Sequence, residues 1–239
     1  MVAHDLAARG IEDAAVLRAM GEVPREEIVP SHLRAEAYDD RPLPIGEGQT
    51  ISQPYVVALM LELLELTPED RMLEVGAGSG YAAAVAGRIC RRVVGVERLP
   101  HLATAAAARL ARLGGGNVVI VCDDGSTGWP PEAPYDAVLV SAGAPDVPGP
   151  LVDQLGDGGR LVVPVGRHLS SQRLLRVELL HDDDRAAQAV DGHAPAQGRG
   201  VVERRGRQVD RVRREAEQAL GHHGEAVRRI DGRAGERGF

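Results

Sequence analysis

The spacing of apolar positions along this chain changes twice. Between residues 5 and 20, Leu6, Ile11, Val16, Leu17 and Met20 recur at loosely helical intervals, which predicts a helix. Pro24 and Pro30 then break the chain into extended pieces. Residues 39–54 (DDRPLPIGEGQTISQP) are expected as loop, because turn-forming residues dominate them. Helical spacing resumes at Val56, runs through Leu59, Met60, Leu63 and Leu64, and stops near Thr67-Pro68.

Beyond residue 70, short apolar runs alternate with helical ones. Strands are expected at RMLEVGA (71–77), RVVGVE (92–97), VVIVCD (118–123), YDAVLVSA (135–142) and RLVVPVG (160–166), with RLLRVELL (173–180) as a further candidate. Helices are expected at 80–90, 99–113 and 149–155. This alternation predicts an α/β fold, a doubly wound, mostly parallel, Rossmann-like sheet, preceded by an N-terminal helical extension. The domain is expected to cover 1–180. In 181–239 the pattern ends: Leu, Ile, Val and Phe supply 9 of the 59 residues, against 12 Arg and 11 acids. So little apolar surface cannot offset the entropy of ordering a packed domain. A low-hydrophobicity, charged tail is expected there, disordered or partly helical, with 201–220 as its candidate helix.

Composition narrows the class. Hydrophobic residues make up 44% of the chain and aromatics only 3%, so the core must be built from Ala, Val, Leu and Ile. The net charge is -7, and the first 180 residues hold 16 Arg against 24 acids, so no basic face for nucleic acid is expected. All 28 basic residues are Arg, read as compositional bias of the gene. MVAHDLAARG at the N-terminus lacks an apolar signal region, and no apolar run approaches about 18 residues. A cytoplasmic protein without a membrane partner is expected. Cys90 and Cys122 lie in apolar segments without metal-ligand spacing and are expected as buried, reduced thiols. His168 and the pair His222-His223 are expected on the surface and not as ligands, and no metal is expected.

The candidate chemistry begins at LEVGAGSGY (73–81). Gly76, Gly78 and Gly80 allow a tight turn and close approach to a ligand. A dinucleotide fingerprint would need glycine at position 81, where Tyr81 stands. GxGxG preceded by Glu74 suits a small zwitterionic tail, such as the methionine part of S-adenosyl-L-methionine. Glu97, at the end of the second strand, could accept both ribose hydroxyls. Asp124 could take the adenine amino group, with Cys122 and Asp123 flanking the base. Such a sheet binds its ligand at the carboxyl ends of its strands.

The stretches GIEDAAVLRAM (10–20), VPREEIVP (23–30), PLPIGEGQTISQPY (42–55), LELTPEDRMLEVGAGSGY (64–81), VVGVER (93–98), YDAVLVSAGAPDVP (135–148) and QLGDGGRLVVPVG (154–166) resemble those of protein-L-isoaspartate O-methyltransferases. The resemblance covers about residues 10–178, and GQTISQP is its most specific element. It implies methyl transfer from S-adenosyl-L-methionine to the carboxylate of L-isoaspartyl, and potentially D-aspartyl, residues of age-damaged proteins, with S-adenosyl-L-homocysteine as the other product. It marks Ser52 as the active-site serine. Thr50, Ile51 and Gln53 are expected near the reacting atoms, the resemblance places substrate-side backbone contacts at Ser141, Ala142 and Pro145, and the stretch from Val163 and Pro164 to Gly166 is expected as another wall. The expected cofactor set is Glu74, Gly76, Ala77, Gly78, Gly80, Tyr81, Glu97, Arg98, Asp123, Asp124 and Gly125. A carboxylate acceptor is already ionised at pH 7, so neither a base nor a metal is needed. The expected role of Ser52 is therefore orientation. Ser52 also precedes Pro54 and an apolar segment, as a helix N-cap would.

The sequence departs from the family at Asp123, where members commonly carry the first Gly of GDG, and at Ile28, where they carry Phe. A closing strand with a motif like RFVPL is not found after Glu178. The tail composition resembles out-of-frame translation of a GC-rich gene, which sequencing of the locus tests. Two alternatives stay open at this point: a cofactor-binding homologue without turnover, and a small-molecule carboxyl methyltransferase.

Overall fold

The computed structural model describes residues 1–166, 173–179 and the backbone of 201–203. Helix α1 spans Ala14–Glu22. It starts where Asp13 accepts the N–H groups of Ala15 and Val16 at 2.7 and 3.0 Å, an N-cap that satisfies two free donors. The helix expected over 5–20 is therefore split, with short helical turns at Val2–Leu6 and Ala7–Arg9 ahead of α1.

Residues 39–54 are not plain loop. β1 (Leu43–Gly46) and β2 (Gln49–Ile51) form an antiparallel hairpin with Leu43 opposite Ile51, both buried. Helix α2 (Pro54–Leu63) follows, with Gln53 as N-cap and Pro54 in its first turn. Ser52 thus lies one residue ahead of the N-cap position that its sequence context suggested. Every residue from Pro54 to Leu61 is buried, so α2 is enclosed on all sides, as an all-round apolar helix must be. The N-terminal extension supplies the cover, with α1 and the first helical turn packing on α2.

The remaining elements alternate as expected: β3 (Arg71–Val75), α3 (Tyr81–Ala86), β4 (Arg92–Glu97), α4 (Pro100–Arg112), β5 (Val118–Cys122), β6 (Tyr135–Val140), α5 (Gly149–Val152), β7 (Leu155–Val165) and β8 (Arg173–Leu179). The sheet order is β5-β4-β3-β6-β7-β8-β9, where β9 is Val201–Glu203. Pairings from β5 through β7 are parallel, and β7–β8 and β8–β9 are antiparallel. Side chains alternate across the sheet. Met72, Val93, Ala137 and Leu139 join the core beneath α2 and α3, whereas Leu73, Val94, Val138 and Val140 join the opposite core with Leu151 of α5. Two buried faces explain why these strands read as continuous apolar runs.

Three expectations change. β7 begins five residues early, and its register with β6 slips between Tyr135 and Ala137, where the glycine-rich stretch 156–159 bulges. Cys90 is buried as expected, but Cys122 is exposed, because it ends the edge strand β5. The segment read as a candidate helix over 201–220 opens with β9, which adds an edge to β8. The rest of the tail, and His168, His222 and His223, lie outside the described residues. Among the described residues no helix is long and apolar enough to cross a membrane.

Candidate active site

The chain leaves β3 for β4 and β5 on one side and returns to β6 on the other. A crevice therefore opens between the carboxyl ends of β3 and β6, the expected ligand position in such a sheet. A cleft of about 660 Å³ lies there, within the usual range for small-molecule sites. All four strand-to-helix turns contribute to it: Gly76 and Gly78 after β3, Glu97 and Arg98 at and after β4, Asp124 and Gly125 after β5, and Ser141, Ala142 and Pro145 after β6. Gln49 and Thr50 reach it from the hairpin.

The glycine turn is built tightly. The N–H groups of Gly76 and Ala77 both donate to the Val96 carbonyl, at 2.8 and 3.1 Å. Gly76 has φ +81, and a Cβ there would lie 3.3 Å from Ala142, so this position needs glycine both for its conformation and for the close approach of the β6 turn. Gly80 has another reason: a Cβ on it would meet Ala106 and Leu110 of α4 at 3.2 and 3.3 Å. It does not line the cleft and serves helix packing. Ile45 of the hairpin sits 3.4 Å from where a Cβ on Gly78 would be, so β1 lies directly against this turn.

Two buried carboxyl groups frame the crevice. Glu97 accepts the Gly78 N–H on Oε2 at 2.7 Å and the Leu99 N–H on Oε1 at 2.9 Å. Its orientation is fixed by the glycine turn and by the start of α4. Glu74 is 1% exposed. Its Oε1 accepts the Ser141 hydroxyl at 2.7 Å, and its Oε2 has no hydrogen-bond partner. Burial pushes the Glu74 carboxyl up to about 8, Ser141 and the Ala83 backbone pull it down, and nearby Glu97 raises it further. Asp124 is exposed and accepts the Ser126 N–H at 3.0 Å, which holds its carboxyl below the usual range. Asp123 accepts the N–H of Asp124 at 2.7 Å and does not line the cleft.

A smaller pocket adjoins the cleft. Thr50, Ile51, Ser52, Glu74, Tyr81 and Ser141 all line it. Ser52 is half-buried, and its carbonyl accepts from Arg25 Nη2 at 2.7 Å. Tyr81 lines the pocket, but its ring is buried and its hydroxyl approaches Met20 Sδ at 3.6 Å. Gln53 is buried at the start of α2, 3.4 Å from Asp40, and lines neither cavity. Val163 and Pro164 do not line them either. Val163 is fully buried in the sheet, and the Pro164 carbonyl accepts the Ala144 N–H at 3.0 Å, so both support the β6 turn from behind. Arg25, Gln49 and Ser126 were not singled out by sequence. Arg25 stands in VPREEIVP, where nothing local marks a buried arginine. Among the described residues no group of His, Cys, Asp and Glu could hold a metal ion.

The Glu74 environment has a measurable consequence. Its folded pKa is raised above its unfolded value of 4.5, so the ligand-free protein keeps a proton that the unfolded chain releases. The associated stability is fully present below pH 4.5 and is lost as pH rises through about 8. Glu74→Gln cannot ionise, so its melting temperature should fall less than that of the wild type between about pH 4.5 and 8. Parallel melting profiles by calorimetry would contradict this account.

The likenesses to known proteins run the same way. The profile of the Protein-L-isoaspartate(D-aspartate) O-methyltransferase (PCMT) family matches residues 1–193, past the point near 178 where the resemblance was expected to stop. Protein-L-isoaspartate O-methyltransferase 1 of Rhodopseudomonas palustris (strain HaA2) is 56% identical over 192 residues, 80% of this chain and 78% of that protein. The Methanoculleus marisnigri protein-L-isoaspartate O-methyltransferase is 57% identical over 166 residues, 70% and 76% of the two chains. A solved protein-L-isoaspartate O-methyltransferase superposes with TM-score 0.67 at 35% identity, over 74% of this chain and 58% of that one. A Plasmodium falciparum structure assigned to the same family, in complex with S-adenosyl-L-homocysteine, gives TM-score 0.64 at 28% identity, over 74% and 87%. With its motifs, its fold and most of its length in agreement, this chain belongs to the protein-L-isoaspartate(D-aspartate) O-methyltransferase family.

Proposed function

We propose that this chain methylates the side-chain carboxylate of isoaspartyl residues in damaged proteins, with S-adenosyl-L-methionine as donor and Ser52 orienting the acceptor. The observation that carries the reading is the junction of the two cavities. Thr50 and Ser141 line both the nucleoside-sized cleft and the smaller pocket that contains Ser52. A methyl donor in the first and a carboxylate in the second would meet there.

The residues present fit the cofactor. Gly76 and Gly78 leave room for close approach, Glu97 and Asp124 offer carboxylate acceptors to a nucleoside, and Glu74 carries a buried oxygen with no partner. Bound S-adenosyl-L-methionine would supply an electrophilic methyl on a sulfonium centre. A positive charge bound beside Glu74 would favour its ionised form and oppose the burial that raises its pKa. Ile51 and Val57, both buried, keep water from one side of the pocket. Ser52 donates from a backbone fixed between β2 and α2. Its hydroxyl need not act as base or nucleophile, because the acceptor carboxylate is ionised at pH 7.

The test is methyl transfer from radiolabelled cofactor to an isoaspartyl peptide beside its aspartyl twin. Label should appear only in the isoaspartyl peptide. Binding of the cofactor without transfer to either peptide would overturn the reading in favour of a homologue without turnover. Equal labelling of small carboxylic acids would favour a small-molecule enzyme.

A further inference from the structure

Arg25 is fully buried, yet among the described residues it forms no ion pair. A buried guanidinium without a carboxylate partner is costly unless other contacts replace its hydration. Those contacts are specific. Arg25 Nε–H donates to the Ala37 carbonyl at 2.7 Å, and Nη2–H donates to the Ser52 carbonyl at 2.7 Å. The face of the guanidinium lies over the Tyr81 ring, with Cζ 4.6 Å from the centroid, a cation–π arrangement. Asp40 acts on it only at longer range. Nη1 is buried with no hydrogen-bond partner.

Two of these partners, Ser52 and Tyr81, line the acceptor pocket, while Arg25 itself stands one layer behind the wall. The same pocket is lined by Glu74, and Glu97 lies close enough to raise the Glu74 pKa. With Glu74 ionised beside a bound cationic cofactor, an anionic acceptor entering here would move toward two carboxylates. A cation buried behind Ser52, in surroundings of low dielectric, acts over several ångströms with little screening. It therefore offsets that repulsion without contacting the substrate.

We propose that Arg25 is a positioning residue for methyl transfer: it fixes Ser52 from behind through the Ser52 carbonyl, and its charge admits the acceptor carboxylate beside Glu74. The proposal rests on the carboxylate-acceptor reading given above. It predicts that the two parts of the role separate. Assayed at a pH low enough to keep the buried ammonium protonated, Arg25→Lys keeps the charge but cannot hold the Ala37 and Ser52 carbonyls with one planar fork. Its kcat should fall roughly 20-fold, the scale of one hydrogen bond to a charged group, with the KM for the peptide near that of wild type. Arg25→Met also loses the charge, and its peptide KM should rise about 10-fold in addition.

The experiment measures kcat and KM of wild type and both variants on one isoaspartyl peptide. Binding of S-adenosyl-L-homocysteine is followed by calorimetry on the same samples. Unchanged cofactor affinity, within about threefold, together with the kcat and KM split supports the proposal. Variants that keep full turnover overturn it. So do variants whose turnover and cofactor affinity fall by the same factor, which is what a purely structural role produces. Where Arg25→Met does not fold, the kcat of Arg25→Lys at unchanged KM decides. A wild type that transfers no methyl overturns the carboxylate reading, and this proposal with it. Variants with wild-type kcat and KM beside an active wild type overturn the role of Arg25 alone.

Discussion

Glu97→Ala is expected to weaken binding of S-adenosyl-L-homocysteine by about 1000-fold, read by titration calorimetry. The figure assumes two hydrogen bonds from ligand hydroxyls to a carboxylate, each worth about 1.5–3 kcal/mol, with about 1.4 kcal/mol per tenfold. Glu97 already accepts the Gly78 and Leu99 N–H groups, so its two oxygens are aimed before any ligand arrives. Little ordering entropy is then left to oppose binding at this residue. The same geometry predicts that Glu97→Gln is nearly as harmful. A glutamine must turn its NH2 toward one of two backbone donors, and that clash costs the glycine turn its support. Loss of the Gly78 bond will also lower the melting temperature, so affinity and stability should be measured together. Affinity retained within about tenfold by the alanine variant would show that ribose-side recognition lies elsewhere.

Parts of this site were legible in the sequence because each lies at the end of an apolar strand. Glu74, Gly76, Glu97 and Asp124 sit at three successive strand ends, and the parallel order of β3, β4 and β5 brings those ends together. The strands were legible for a related reason: both sheet faces are covered, which leaves uninterrupted runs of Val, Leu and Ile. The hairpin was not, since Pro44, Gly46, Glu47 and Gly48 carry turn chemistry and only Leu43, Ile45 and Ile51 pack inward. Val163 and Pro164, expected as pocket wall, line neither cavity, because a strand residue and a lining residue look alike without register. Arg25 was out of reach. Its acceptor Ser52 is 27 residues away, and Tyr81 lies beyond a hairpin and a helix. The burial of a charge so placed is set by tertiary packing, to which local spacing is blind.

Ser52→Ala is expected to reduce kcat on an isoaspartyl peptide by about 100-fold, the usual cost of losing in-line placement of two reactants, while cofactor affinity stays unchanged. Three roles for the hydroxyl make different forecasts. A covalent nucleophile would leave no turnover at all. An N-cap would cost stability and spare kcat, but Gln53 holds that position in α2. An orienting donor gives the intermediate result, with the melting temperature moved by less than about 4 °C. The surroundings favour the third role. The Ser52 backbone is held on one side by the pairing of β2 with β1 and on the other by α2, with Arg25 on its carbonyl. Its side chain shares a pocket with Glu74 and Ser141. A donor held this firmly need not be strong, and too strong a bond would stabilise the carboxylate before it reacts. Ser52→Thr should accordingly keep more activity than Ser52→Ala where the pocket admits one methyl group, and Ser52→Cys should fall between them, because a thiol is a poorer donor. Wild-type turnover in the alanine variant would remove Ser52 from the reaction altogether.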